Sequence, residues 1–142
     1  MYRRSLIRAA LMTPVIASAK AQGVSGDIDL STYPAGPLPP EFLTNWRTGK
    51  GAPGDWQIVA DPTASQGKAI AQLNADPTDY RVPLAVYEPL AAQDVEASLR
   101  FKAVSGQGDR AGGLAVRLRD ADNYYVVRAN ALKNNVNFYC VT

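Results

Sequence analysis

Between Asp94 and Asn130 the chain alternates apolar and polar residues with a period of two, and that pattern commits it to β-structure. Val95, Ala97, Leu99, Phe101 and Ala103 alternate with Glu96, Ser98, Arg100 and Lys102. Leu114, Val116 and Leu118 then alternate with Ala115, Arg117 and Arg119. Such spacing puts one side of a strand on a core and the other in water. A third run, Tyr124 to Ala129, is aromatic and β-branched and follows the turn-forming Asp120-Ala121-Asp122-Asn123. The stretch reads as a meander of three consecutive strands.

Shorter strands fit on either side. Trp56 to Val59, Lys68 to Leu73 and Val82 to Tyr87 are bounded by turn-formers, the last by prolines that suit an edge. Ser105 to Gly113 carries four glycines and reads as a loop, while Asn134 to Thr142 begins a further strand with Val136, Phe138 and Cys140 on one side. No window past the N-terminus keeps a helical period. At 142 residues there is room for one domain with a single core. The expectation is an all-β fold.

Met1 to Ala21 has the layout of a secretory signal peptide. Arg3 and Arg4 supply the positive start, Leu6 to Ile16 a mostly apolar middle, and Ala19-Lys20-Ala21 a cleavage site. The apolar run falls short of the ~20 residues a membrane span needs, so no membrane span is expected. Residues 22–37 are a Gly/Pro-rich linker or a tail lying on the domain, and 38–142 form the domain itself. The product is expected in the periplasm or secreted.

The formal charge of +2 is set by that leader. Without Arg3, Arg4, Arg8 and Lys20, eleven basic residues face thirteen acidic ones, a net of −2. A mildly acidic domain gives no electrostatic reason to bind nucleic acid. Histidine is absent altogether, which excludes a Ser-His-Asp triad and removes the commonest zinc ligand. The single cysteine, Cys140, has no internal disulfide partner and no histidine to activate it.

Several residues could carry function, each beside a plainer role. Trp46 and Tyr125 could stack on sugar rings, and Arg117 and Arg128, on neighbouring strands, could donate hydrogen bonds to sugar hydroxyls or a carboxylate. Tyr124 and Tyr125 must face opposite sides of the sheet, so one of the two is free of the core. The plainer role is core filling for the tryptophans and ion pairing for the arginines. Asp120, Asp122 and Asn123, joined by Asp109 from the glycine loop, offer oxygens for Ca²⁺; Asp and Asn are also the residues that make turns between strands. No other cofactor is indicated. Gly49-Lys50-Gly51-Ala52-Pro53-Gly54-Asp55 lacks the ending and the helix of a phosphate cradle.

The stretch GGLAVRLRDADNYYVVRANALKNNVNFY, Gly112 to Tyr139, resembles the concanavalin A-like lectin/glucanase jelly rolls of secreted bacterial proteins, in particular the 3-keto-disaccharide hydrolase-like or family-16-like group. Gly36 to Phe42 and Gly49 to Trp56 resemble that group's leading motifs, so the likeness spans about Pro34 to Tyr139. It implies an antiparallel two-sheet sandwich and a carbohydrate-related or adhesive role outside the cytoplasm, with carbohydrate or a cell-envelope component as partner. Such domains continue past the Asn134-Asn135-Val136 strand, often with Lys or Arg where Cys140 stands, so the sandwich is expected to be incomplete at its C-terminal side.

That likeness focuses attention on Asp94 and Glu96. At i and i+2 of a strand they would point the same way, roughly 6–7 Å apart at the backbone, near the 5–5.5 Å that retaining glycosidases need. The family-16 pattern adds a third acid, and Ala92, Ser98 and Leu99 occupy the positions where it would stand. The plainer role is the wet face of a half-buried strand. The expectation is therefore an exported, non-catalytic carbohydrate-binding or interaction module, with a glycoside hydrolase using Asp94 and Glu96, or an inactive fragment of a longer protein, as alternatives.

Overall fold

Ile58 is almost fully buried, and the strand that carries it is the centre of the first of four antiparallel sheets among the described residues. The computed structural model describes residues 26–142; the expected signal peptide and the first residues of the linker lie outside the described residues. The described residues are all-β apart from one 3-10 turn at Leu30–Thr32.

In the first sheet, β1 (Gly36–Pro37) pairs with β4 (Trp56–Ala60), which pairs with β5 (Lys68–Gln72). Ile58 faces Ile70 across β4 and β5, so β-branched side chains meet at the middle of the pair. The Gly/Pro-rich lead is held against this sheet. Lys68 donates to the carbonyls of Ser31 and Tyr33, Leu30 donates its N–H to Gln66, and Gly36 pairs with Ile58.

Two short ribbons connect the larger sheets. β2 (Phe42–Leu43) pairs with β7 (Val86–Tyr87), and β3 (Arg47–Thr48) pairs with β6 (Val82–Pro83). The run expected as one strand from Val82 to Tyr87 is thus two, because Pro83 cannot donate to a continuous ladder. Phe42 and Tyr87 pack across their ribbon with ring centroids 5.1 Å apart.

The remaining sheet has the order β10-β9-β8, with β8 at Ala111–Asp120, β9 at Asn123–Asn130 and β10 at Asn135–Val141. The meander therefore runs from Ala111 to Val141 and not from Asp94. Val95 to Ala103, expected to be its first strand, forms no ladder. Periodicity fixes which side chains share a side but not which edge they pair with, and the outer edge of β8 is irregular. Residues 117–119 face the single residue Tyr124, and Arg117 takes a φ of 56°. Such a bulge interrupts the ladder and twists the edge away from a neighbour. The segment instead lays Phe101 on Gly112, where a Cβ would come within 2.9 Å of the ring. Lys102 reaches Asp61 at 3.0 Å beside the β4–β5 turn.

Gly112 and Gly113, expected in a loop, are the second and third residues of β8. A Cβ on Gly113 would sit 1.9 Å from the Val127 carbonyl oxygen, so glycine is what permits this part of the ladder.

Candidate functional site

Two-residue periodicity and the register of the β10-β9-β8 sheet sort its side chains completely. Gly112, Leu114 and Val116 on β8 share a face with Tyr125, Val127 and Ala129 on β9 and with Val136, Phe138 and Cys140 on β10. Nine positions in three strands carry no charge. The opposite face holds Tyr124, Val126, Arg128 and Asn130. Tyr124 is buried there, and its hydroxyl lies 2.6 Å from that of Thr48 on β3.

The uncharged face stays largely open to solvent. Tyr125 is 39 % exposed, Val127 47 %, Phe138 66 % and Val136 69 %. Tyr125 sits opposite Cys140, which makes Phe138 its diagonal neighbour. The two ring centroids lie 5.8 Å apart with planes within 9° of parallel, so the rings stack on one another at the surface. Beside it, Leu99, Phe101, Leu114 and Val127 line a shallow groove of about 250 Å³. Past Phe101 and Ala129 this continues into a second groove of about 290 Å³, rimmed by Asn130, Asn134 and Asn135.

A satisfied polar knot closes that end. Asn130 is buried, and its Oδ1 accepts from the N–H groups of Arg110, Leu132 and Lys133 while its amide nitrogen donates to Asp109. Burial opposes ionisation of Asp109, but hydrogen bonds from Lys133 and Asn130 and the positive charges of Arg128 and Lys133 hold its pKa below the usual value. The loop before β8 is thereby pinned to the β9–β10 turn.

The expected site residues scatter around this sheet. Tyr125 lies on the open face. Arg128 projects from the other face, where its guanidinium pairs with Asp109. Arg117 sits in the bulge, four residues along β8 from Gly113, the partner of Arg128, or roughly 13 Å. Trp46 is half-buried and precedes β3, on the side that Tyr124 faces; its carbonyl accepts from Leu84. Trp46 and Arg128 therefore do not share the face of Tyr125, and Arg117, which follows the Tyr125 partner Val116, is set apart from Arg128.

Asp94 and Glu96 lie on the exposed segment before β8 and line neither groove. Asp109 and Asp120 flank β8 at opposite ends, roughly 30 Å apart for a strand of this length, and cannot share an ion. The Asp120 carboxylate instead accepts from the Asn123 side chain and the Asp122 N–H, and these bonds lower its pKa. That is the turn chemistry the sequence offered as the plainer role. Among the described residues no group of three or more metal-ligating side chains forms, and no helix is long and apolar enough to cross a membrane.

Phe138 was not among the expected site residues. Its alternation with Val136 and Cys140 was visible, but its meeting with Tyr125 depends on the four-residue connection that sets the β9–β10 register. No family model, curated protein or solved structure matches the chain.

Proposed function

We propose that the chain is an exported, non-catalytic carbohydrate-binding or interaction module of the concanavalin A-like jelly-roll class, with the open face of the β10-β9-β8 sheet as its binding surface. The antiparallel, all-β architecture supports the class. The observation that carries the function is the Tyr125–Phe138 pair, two nearly parallel rings left in solvent on an uncharged sheet face. Exposed flat aromatics with an apolar floor suit the C–H face of a sugar ring, and the amides of Asn134 and Asn135 at the groove end can serve its hydroxyls. Convergent polar groups at the rim of an apolar surface are the usual composition of a small-ligand site.

A panel of soluble oligosaccharides, followed by calorimetry and by an assay for released reducing ends, tests this reading. The expected result is saturable binding without turnover. Turnover that Glu96→Gln abolishes without changing the thermal midpoint would replace it with the hydrolase alternative.

A further inference from the structure

The nine uncharged positions of the open face are uneven in size. Gly112 and Ala129, its two smallest, are cross-strand partners. The Phe101 ring sits over them, so close that a Cβ on Gly112 would come within 2.9 Å of it. Phe101 and Ala129 line both grooves, which makes this ring the wall between them. Tyr125 lies four residues before Ala129 on β9, and Asn134 and Asn135 lie past it. A ligand reaching from the rings to those amides therefore crosses the place that Phe101 occupies. At about 250 and 290 Å³ each groove falls short of the ~300–1,000 Å³ of an ordinary ligand pocket. Without the ring between them they join into one groove within that range.

The segment that carries Phe101 is loosely held. Among the described residues, 89–105 form no backbone–backbone hydrogen bond, and nearly all of them are exposed. The two ends are fixed. The Glu88 N–H donates to the Glu41 carbonyl at 3.0 Å, and the Gly106 carbonyl accepts from Arg110 Nε at 3.1 Å. Between them the one polar tether among the described residues is Lys102, which donates to Asp61 at 3.0 Å and to the Thr63 hydroxyl at 3.2 Å. Asp61 is itself set by the Thr63 hydroxyl and N–H, so the receiving side is fixed. Solvent-facing backbone and few buried apolar contacts mark a segment that opens easily, and an exposed ion pair opposes that opening only slightly.

We infer that residues 89–105 are a strap that lifts from the open face, with Phe101 as its plug over Gly112 and Ala129 and the Lys102–Asp61 pair as its latch. Closed, the strap divides the face. Lifted, it leaves one groove from Tyr125 to Asn135. That this groove takes a glycan rests on the function proposed above. A ligand that needs the lifted state binds more weakly in proportion to how rarely that state is populated, so releasing the latch raises its affinity.

The experiment reads opening first without ligand. In the full chain carrying Cys140→Ser, Ala129→Cys places a thiol beneath the plug, and its rate of modification by a maleimide reports lifting. Lys102→Gln and Phe101→Ala are each expected to speed modification severalfold with the thermal midpoint within a few degrees of the parent. Lys102→Arg, which keeps the ion pair, should leave the parent rate. Rates indifferent to the first two changes, or faster only where the midpoint has collapsed, overturn the strap. A Lys102→Arg rate as fast as that of Lys102→Gln overturns the latch. Calorimetry with linear oligosaccharides then compares Lys102→Gln with the wild type, and severalfold tighter binding is expected. Faster modification with unchanged glycan affinity overturns the gating of the groove. Faster modification with no glycan binding in either protein leaves the strap standing and overturns the carbohydrate reading.

Discussion

The Thr48 hydroxyl stands 2.6 Å from the Tyr124 hydroxyl and 2.6 Å from the Ala121 carbonyl, tying the β3–β6 ribbon to the β8–β9 turn. A carbonyl only accepts, so the single Thr48 proton goes to Ala121 and the Tyr124 phenol donates to Thr48. Thr48→Val should lower stability by about 1–2 kcal/mol. Tyr124→Phe should cost a similar amount, and the double variant should cost less than the two together. Chemical denaturation of the four proteins measures this cycle.

Two loops hold the most strongly depressed carboxylates. Asp61 accepts hydrogen bonds from the Thr63 hydroxyl, Lys102 and the Thr63 N–H, and its pKa falls to about 2 from an ordinary 3.8. Asp76 accepts from the Ala52 N–H and from the Thr63 counterpart in its own turn, Thr78, and also falls to about 2. A depressed folded-state pKa means the unfolded chain binds protons first. Stability from these groups is complete above about pH 4 and is lost as pH falls toward 2. Thermal midpoints recorded across that window should drop steeply, and Asp76→Asn should flatten the drop while lowering the midpoint at neutral pH.

The two glycines that open β8 should respond differently to alanine. At Gly113 the new methyl meets the Val127 carbonyl at 1.9 Å, a backbone atom locked in the ladder. At Gly112 it meets the Phe101 ring at 2.9 Å, on a segment that forms no ladder and can shift. Gly113→Ala should cost about 3 kcal/mol or more and Gly112→Ala about 1 kcal/mol. Urea unfolding of both variants gives the comparison.

These positions also show what was legible in the chain beforehand. Aromatic and β-branched composition after a turn placed β9, and alternation placed the even-numbered face of β10, because period two follows directly from strand geometry. The turn at Asp120–Asn123 was equally plain, since Asp and Asn bond their own backbone. The partner of each strand was not legible. Val95 to Ala103 alternates as cleanly as β8 yet forms no ladder, because pairing depends on the regularity of a distant edge. Gly112 and Gly113 read as loop residues because the close approach that requires them is a tertiary fact. Tyr125 was identified as a candidate because adjacent residues face opposite ways. Phe138 was not, because a diagonal contact depends on register.

The aromatic pair should be dispensable for folding. Tyr125 and Phe138 are 39 % and 66 % exposed, so truncating either removes little buried surface. Tyr125→Ala and Phe138→Ala should leave the thermal midpoint within a few degrees of the wild type, in contrast to Tyr124→Ala, which empties a buried site. Differential scanning calorimetry distinguishes the three.

The most direct measurement is calorimetric titration of linear oligosaccharides into the wild type, Tyr125→Ala, Phe138→Ala and Glu96→Gln. Loss of one stacked ring is expected to weaken binding about tenfold, while Glu96→Gln leaves it unchanged. Absence of binding across the panel, or binding that survives both aromatic truncations, would contradict the account.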